Sequence, residues 1–387
     1  MIPERVYLDF NASTPIAPEV AEAMKPFLFD HFGNPSSHHW AGEPARVAVD
    51  HARQQVADLL QCHPEEVVFT SGGSEANNHA IKGVFFALKE KGNHIITTQI
   101  EHPAVLNPCQ FLEKIGGKVA YVGVDQYGRV DPEEIEKAIT PQTILITVMH
   151  VNNEVGTIQP IEEISKIAKK NKIIFHTDAA QSVGKIDTKV DQLGIDLLSI
   201  AGHKFYAPKG VGALYIRKGT PIEPIMHGAG HESGRRAGTE NVLLIVGLGK
   251  ACEISKPYLN NDRVRDLRDR FWNLLQKNFD GGVLLNGHPI HRLPNTLNIS
   301  FVGKVGGEIL SRLDGVAAST GAACHSGSVE LSPVLKAMGI SPEVGMGAIR
   351  FSLGRETTLD EVERVIEGLK KVVPSLPFAN CAANGKG

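Results

Sequence analysis

The chain has 387 residues, 42% hydrophobic and 21% charged, with 40 Lys+Arg against 43 Asp+Glu and a formal net charge of −3. That mix excludes a disordered chain or a coiled coil, and the charge balance gives no electrostatic reason to expect nucleic acid or an anionic membrane as the main partner. No apolar run approaches the roughly 20 residues that cross a bilayer. The start, MIPERVYLDFNAS, lacks the basic-then-apolar pattern of a secretory signal. Five scattered cysteines, Cys62, Cys109, Cys252, Cys324 and Cys381, make neither a disulfide framework nor a Cys-x-x-Cys pair, so a cytoplasmic protein without a metal site is expected.

In chain order, Val49, Ala52, Val56 and Leu59 recur at three- and four-residue spacing and predict a helix over 45–60. Short, mostly hydrophobic strands are predicted at 67–70, 94–98, 119–122, 144–149, 173–176, 197–200 and 212–216, with a further helix at 161–170. Strands alternating with helices predict an α/β domain around a mostly parallel sheet of seven strands. After residue 235 the rhythm changes to helices at 241–255 and 264–279, strands at 296–302, 316–319 and 349–353, and a last helix at 359–373. This predicts a smaller α/β domain at the C-terminal end. The small and polar tail, 376–387, predicts disorder.

The segment DLLSIAGHKFY places Lys204 just beyond a strand, where parallel-sheet proteins bind ligands and where a partly desolvated amine can form a Schiff base. Asp178, at the end of IIFHTD, suits a cationic ring nitrogen such as that of pyridoxal phosphate, and suits equally well the cap of a helix starting at Ala179. In TSGGSEAN, Gly72, Gly73 and Ser74 enter a helix whose free amides favour an anion, although a glycine turn also serves as a plain connection. His102 follows another strand and is read either as a ring that stacks on a planar cofactor and shuttles protons or as a packed residue. Asn153 suits hydrogen bonding or a turn.

Together these segments, with YLDFNASTP, GNPSS, RRAGTEN and IRFSLGR, resemble the cysteine desulfurases of the NifS/IscS family among the fold-type I pyridoxal-phosphate enzymes, almost end to end. The resemblance implies a large cofactor-binding domain over 15–260 and a small domain made of 1–14 and 261–375. It implies that Lys204 holds pyridoxal phosphate covalently, that Asp178 pairs with its ring nitrogen, that Gln181 contacts its phenolic oxygen and that His102 stacks on the ring. Gly73, Ser74, Ser199 and His203 would cradle the phosphate, with Thr239 arriving from the neighbouring subunit of a homodimer. Asn153, which also touches the cofactor, and Arg350 would bind the substrate L-cysteine, with Asn34 assisting.

VAASTGAACHSGSVELSP carries Cys324 in a Gly/Ala/Ser-rich stretch, read as a mobile loop before a helix that begins near Ser332. A cysteine there is either a small buried hydrophobe or a nucleophile; by the resemblance it is the thiol that attacks the substrate sulfur. Lys204 would remove the α-proton, Cys324 would keep the sulfur as a persulfide for a scaffold or carrier protein, and His102 would help protonate the product, L-alanine. GAACHSG departs from the GSACTS pattern of housekeeping desulfurases and also resembles selenocysteine lyases, so L-selenocysteine is an alternative substrate. A silent pyridoxal-phosphate fold acting as a scaffold is the other alternative.

Overall fold

The computed structural model describes residues 5–320, 322–325 and 328–375. A two-residue strand, β1 (Val6–Tyr7), opens the chain. Seven strands then build the large sheet: β2 (Val67–Thr70), β3 (His94–Thr98), β4 (Lys118–Val122), β5 (Thr143–Thr147), β6 (Ile174–Asp178), β7 (Leu197–Ala201) and β8 (Gly212–Ile216). Their order is β2-β8-β7-β6-β5-β3-β4. Only β8 runs against its neighbours; the other pairings are parallel.

Period-two alternation explains why these segments read as continuous apolar runs: Val67, Phe69, Ile146, Leu198, Ile200 and Tyr215 pack on one face, and Val68, Leu145, Leu197 and Leu214 on the other. Helices Glu43–Leu60, Ile161–Lys170 and Val242–Ser255 cover the first face, and Gly73–Leu88 and Pro103–Glu113 cover the second. The strand expected over 144–149 stops at Thr147, and just beyond it the Met149 amide donates to the Glu101 carboxylate instead of the ladder.

A second antiparallel sheet, ordered β12-β15-β10-β9, contains β9 (Val283–Asn286), β10 (Thr296–Phe301), β12 (Ser319–Thr320) and β15 (Ala348–Ser352). The expected strand at 316–319 is split: β11 (Val316–Ala317) pairs in parallel with β1, and β12 moves over to β15. β9 was not expected, because its glycine-flanked residues are only partly covered. Helices Asp262–Asn278 and Leu359–Val372 pack on this sheet, and Val6 and Leu8 join the same core. The stretch read as a loop around Cys324 forms β13 (Ala322–His325), paired antiparallel with β14 (Ser328–Leu331), so that Cys324 stands opposite Val329. That pairing satisfies backbone groups that a loop would leave to water. The Cys324 side chain and the tail 376–387 lie outside the described residues. No described helix is long and apolar enough to cross a membrane.

Candidate active site

A cavity of about 380 Å³ opens at the carboxyl ends of β5, β6 and β7, where parallel sheets hold ligands. It brings together Gly73, Ser74, His102, Asn153, Asp178, Gln181, His203, Lys204 and Arg350.

β7 ends in a 3-10 turn, Gly202–Lys204, which turns the lysine toward the N-terminal segment. Lys204 Nζ donates to the carbonyls of Asn11 at 2.7 Å and Ala12 at 2.9 Å. Burial, helped by Arg350 and opposed by Asp178 and Asp9, pulls its pKa down to about 8. A neutral amine is therefore accessible close to physiological pH.

Asp178 is the last residue of β6 and is 5% exposed. Its Oδ1 accepts the Ala180 amide at 2.9 Å and its Oδ2 accepts Asn77 Nδ2 at 2.7 Å. The Ala180 bond has the local form of a cap, yet a turn rather than a helix follows. Asn77 was not read from the sequence. It lies in the first turns of Gly73–Leu88, lines the cavity, and its buried Oδ1 has no partner among the described residues.

His102 caps the helix Pro103–Glu113: its Nδ1 accepts the Ala104 amide at 3.0 Å, which leaves the proton of the neutral ring on Nε2. Burial lowers its pKa, with Lys204 adding to the effect and Asp178 opposing it. Burial, together with Lys204, Lys209 and Lys185, takes His203 down to about 4, so this ring is neutral. Gln181 donates from Nε2 to the Asn11 carbonyl at 2.9 Å, and its Oε1 accepts Lys185 Nζ at the same distance.

Arg350 reaches the cavity from β15. Its Nη1 donates to the Asn153 carbonyl at 2.8 Å, and its Nη2 donates to Asp9 Oδ1 at 2.7 Å and to Ser319 Oγ at 3.0 Å. The N-terminal segment is the other element the sequence left without a role. Asn11 is 1% exposed, accepts on its carbonyl from both Lys204 and Gln181, and donates from Nδ2 to Thr296 Oγ1 at 2.8 Å.

Among the described side chains, three residues expected in the site, Ser199, Thr239 and Asn34, are not assembled into this cavity. Ser199 lies one pleat deeper in β7, with its Oγ 3.0 Å from His176 Nε2, and Ala201 occupies the cavity wall. Thr239 lines a separate cavity of about 250 Å³ with Thr70, Ser71 and Arg236. Asn34 is exposed and accepts the Ser36 amide at 2.9 Å in a local turn. Cys324 is placed by its backbone alone, on β13.

The family model for class-V aminotransferases matches residues 6–365. The cysteine desulfurase IscS of Dictyoglomus turgidum is 53% identical over 95% of this chain and 96% of its own length. That of Methanosarcina thermophila is 49% identical over 96% of this chain and 92% of its own. The chain belongs to the IscS/NifS cysteine desulfurase family. A solved structure of a NifS-like protein superimposes with a TM-score of 0.90 at 39% identity, covering 96% of this chain and all of the other. Another, SspA in complex with cysteine, gives 0.81 at 42% identity over 90% of this chain and 98% of its own.

Enzymes of this family use pyridoxal phosphate, and the residues present fit that group. A carboxylate and an amine face one cavity, Asn77, whose Oδ1 has no partner among the described residues, lines it, and the helix that starts at Gly73 brings free amides. A Cβ on Gly73 would come within 3.1 Å of the Ala201 Cβ, so the backbone is left bare where an anion would approach.

Proposed function

We propose that this chain is a pyridoxal-phosphate-dependent cysteine desulfurase that converts L-cysteine to L-alanine and keeps the sulfur as a persulfide on Cys324. The observation that carries this reading is the presence of Lys204 and Asp178 in one cavity at the ends of adjacent strands, with Arg350 entering from the second sheet. When bound, the cofactor supplies an electron sink for charge developing at the substrate α-carbon.

Lys204 would hold the cofactor covalently and, once released by the substrate amine, would take the α-proton on Nζ. Asp178, fixed by Asn77 and the Ala180 amide, would keep the ring nitrogen protonated, and Gln181 would meet the phenolic oxygen. Gly73, Ser74 and neutral His203 would bind the phosphate together with the partner subunit's Thr239. In one chain Thr239 lines a cavity apart from these residues, and a homodimer with composite sites would bring it to the partner's phosphate. His102 would stack on the ring, with its Nε2–H available to protonate the product.

Arg350 would offer its planar guanidinium to the substrate carboxylate, giving up a bond to Asn153, Asp9 or Ser319 as it does so. Cys324 thiolate then attacks the substrate sulfur. The S–S bond forms, the carbon–sulfur bond breaks with its electron pair left on carbon, and a proton delivered to that carbon completes alanine. The terminal sulfur passes from Cys324 to a thiol of an acceptor or scaffold protein, a transfer suited to the reducing cytoplasm.

Alanine formation from cysteine and selenocysteine, measured for the parent and Cys324→Ala, tests the reading. We expect the variant to lose cysteine turnover by at least about 100-fold, and mass spectrometry to find an added sulfur on Cys324 of the parent. Full cysteine activity in the variant overturns the proposed role of the thiol.

A further inference from the structure

The hairpin that carries Cys324 is rooted at both ends. On its N-terminal side, β12 lies against β15, and Ser319 Oγ donates to Asp9 Oδ1 at 2.8 Å while accepting from Arg350 Nη2 at 3.0 Å. On its C-terminal side, β14 ends at Leu331, and the next residue, Ser332, donates its hydroxyl proton to Glu154 Oε2 at 2.6 Å. The same hydroxyl oxygen accepts the Val334 amide at 3.1 Å and caps the helix Pro333–Ala337.

Glu154 is held in turn by the site. Its amide donates to Asn152 Oδ1 at 2.9 Å, its carbonyl accepts Asn298 Nδ2 at 3.0 Å, and the residue before it is Asn153, whose carbonyl receives Arg350 Nη1. The first root therefore ends on groups that hold Arg350, and the second on the residue next to the Asn153 carbonyl that also holds it. Around the second root, Val155, Leu335 and Met338 pack with Met149 and Ala348 in one small core.

Simple packing would not call for a carboxyl here. Glu154 Oε1 is buried with no partner among the described residues, and a half-satisfied buried carboxyl is costly. Burial pushes the group up to about 7, opposed by Ser332 and Arg350. Among the described residues, what the carboxyl gains is one short bond, to the root of the Cys324 hairpin.

We propose that Glu154 is a positioning residue for the sulfur-transfer step, setting the C-terminal root of the Cys324 hairpin through Ser332 in register with Arg350. This rests on the desulfurase reading above. Glu154 touches neither substrate nor cofactor in this role; it fixes where the thiol-bearing strand leaves the body of the protein.

The experiment compares the parent holoenzyme with Glu154→Ala, Glu154→Gln, Ser332→Ala and the Glu154→Ala/Ser332→Ala double variant. Two readouts are taken: the absorbance change of the bound cofactor on adding L-cysteine, and the rate at which sulfur appears on Cys324 by mass spectrometry. Glu154→Ala leaves the Ser332 cap in place, so its effect is separate from loss of that helix end. We expect Glu154→Ala to slow sulfur appearance by about tenfold while the absorbance change stays within about twofold of the parent. Glu154→Gln, whose amide oxygen still accepts from Ser332, should restore the rate to within about twofold. The double variant should be no slower than the slower single one. Equal slowing of both readouts by Glu154→Ala, failure of Gln to rescue, or a parent rate in Ser332→Ala overturns the proposal. A parent that gains no sulfur on Cys324 at all overturns the desulfurase reading, and this proposal with it.

Discussion

Lys204 and Asp178 stand at the carboxyl ends of adjacent strands, where a parallel sheet exposes side chains to a ligand. What sets the proton affinity of the lysine lies far from it in the chain. The fall of Lys204 to about 8 comes first from burial and then from Arg350, a residue 146 positions away on another sheet. Reactivity should report it directly. In protein freed of cofactor, the neutral amine is present above the pKa and absent below it, so modification of the Lys204 peptide by an amine-selective reagent should rise through half-maximum near pH 8. An ordinary surface lysine in the same digest should do so near 10.4. A Lys204 profile that matches the surface lysines means that the site is not desolvated in solution. Asn77 was missed because an asparagine inside a helix carries no mark, and only the packing of that helix across β6 aims it at the carboxylate. Ser199, which only the resemblance put at the phosphate, lies one pleat below Ala201 and does not reach the cavity.

At the scale of elements, hydrophobic rhythm identified the strands of the large sheet because both of its faces are covered. It served less well where pairing is decided by a remote partner. The run at 316–319 was legible as extended chain, but its division between β1 and β15 depends on which edges the finished fold leaves open. The hairpin at Cys324 is a similar case, with small residues paired by the return of the chain rather than by propensity. The N-terminal segment is the element whose importance was least visible. Asn11 bonds through its side chain to Thr296, to Asn295 at 3.1 Å and to Lys185 at 3.4 Å, so it joins both sheets across the cavity. Removing that side chain strands buried partners, and Asn11→Ala should lower the free energy of unfolding by about 2–4 kcal/mol, read from the urea midpoint. A loss under about 0.5 kcal/mol would mean that these bonds are replaced by water.

For the whole molecule, Thr239 faces a different cavity from the other proposed phosphate ligands. A composite dimer predicts complementation. Lys204→Ala and a Thr239→Trp variant, each inactive or nearly so alone, should after mixing and subunit exchange recover up to about a quarter of the parent activity, because half of the dimers then hold one intact site of two. No recovery, with exchange demonstrated, would place Thr239 outside the partner's site. The sequence by itself determined the local matters: which segments form the strands of the large sheet, which reactive side chains stand at their ends, and, through the order of its motifs, the family. Those properties depend on neighbours a few residues apart. Only the tertiary structure decided that Asp9, Ser319 and the Asn153 carbonyl together hold Arg350 at the cavity, and that burial there resets the proton affinity of Lys204. Hydrogen bonds between distant residues and the exclusion of water exist only once the chain has closed on itself.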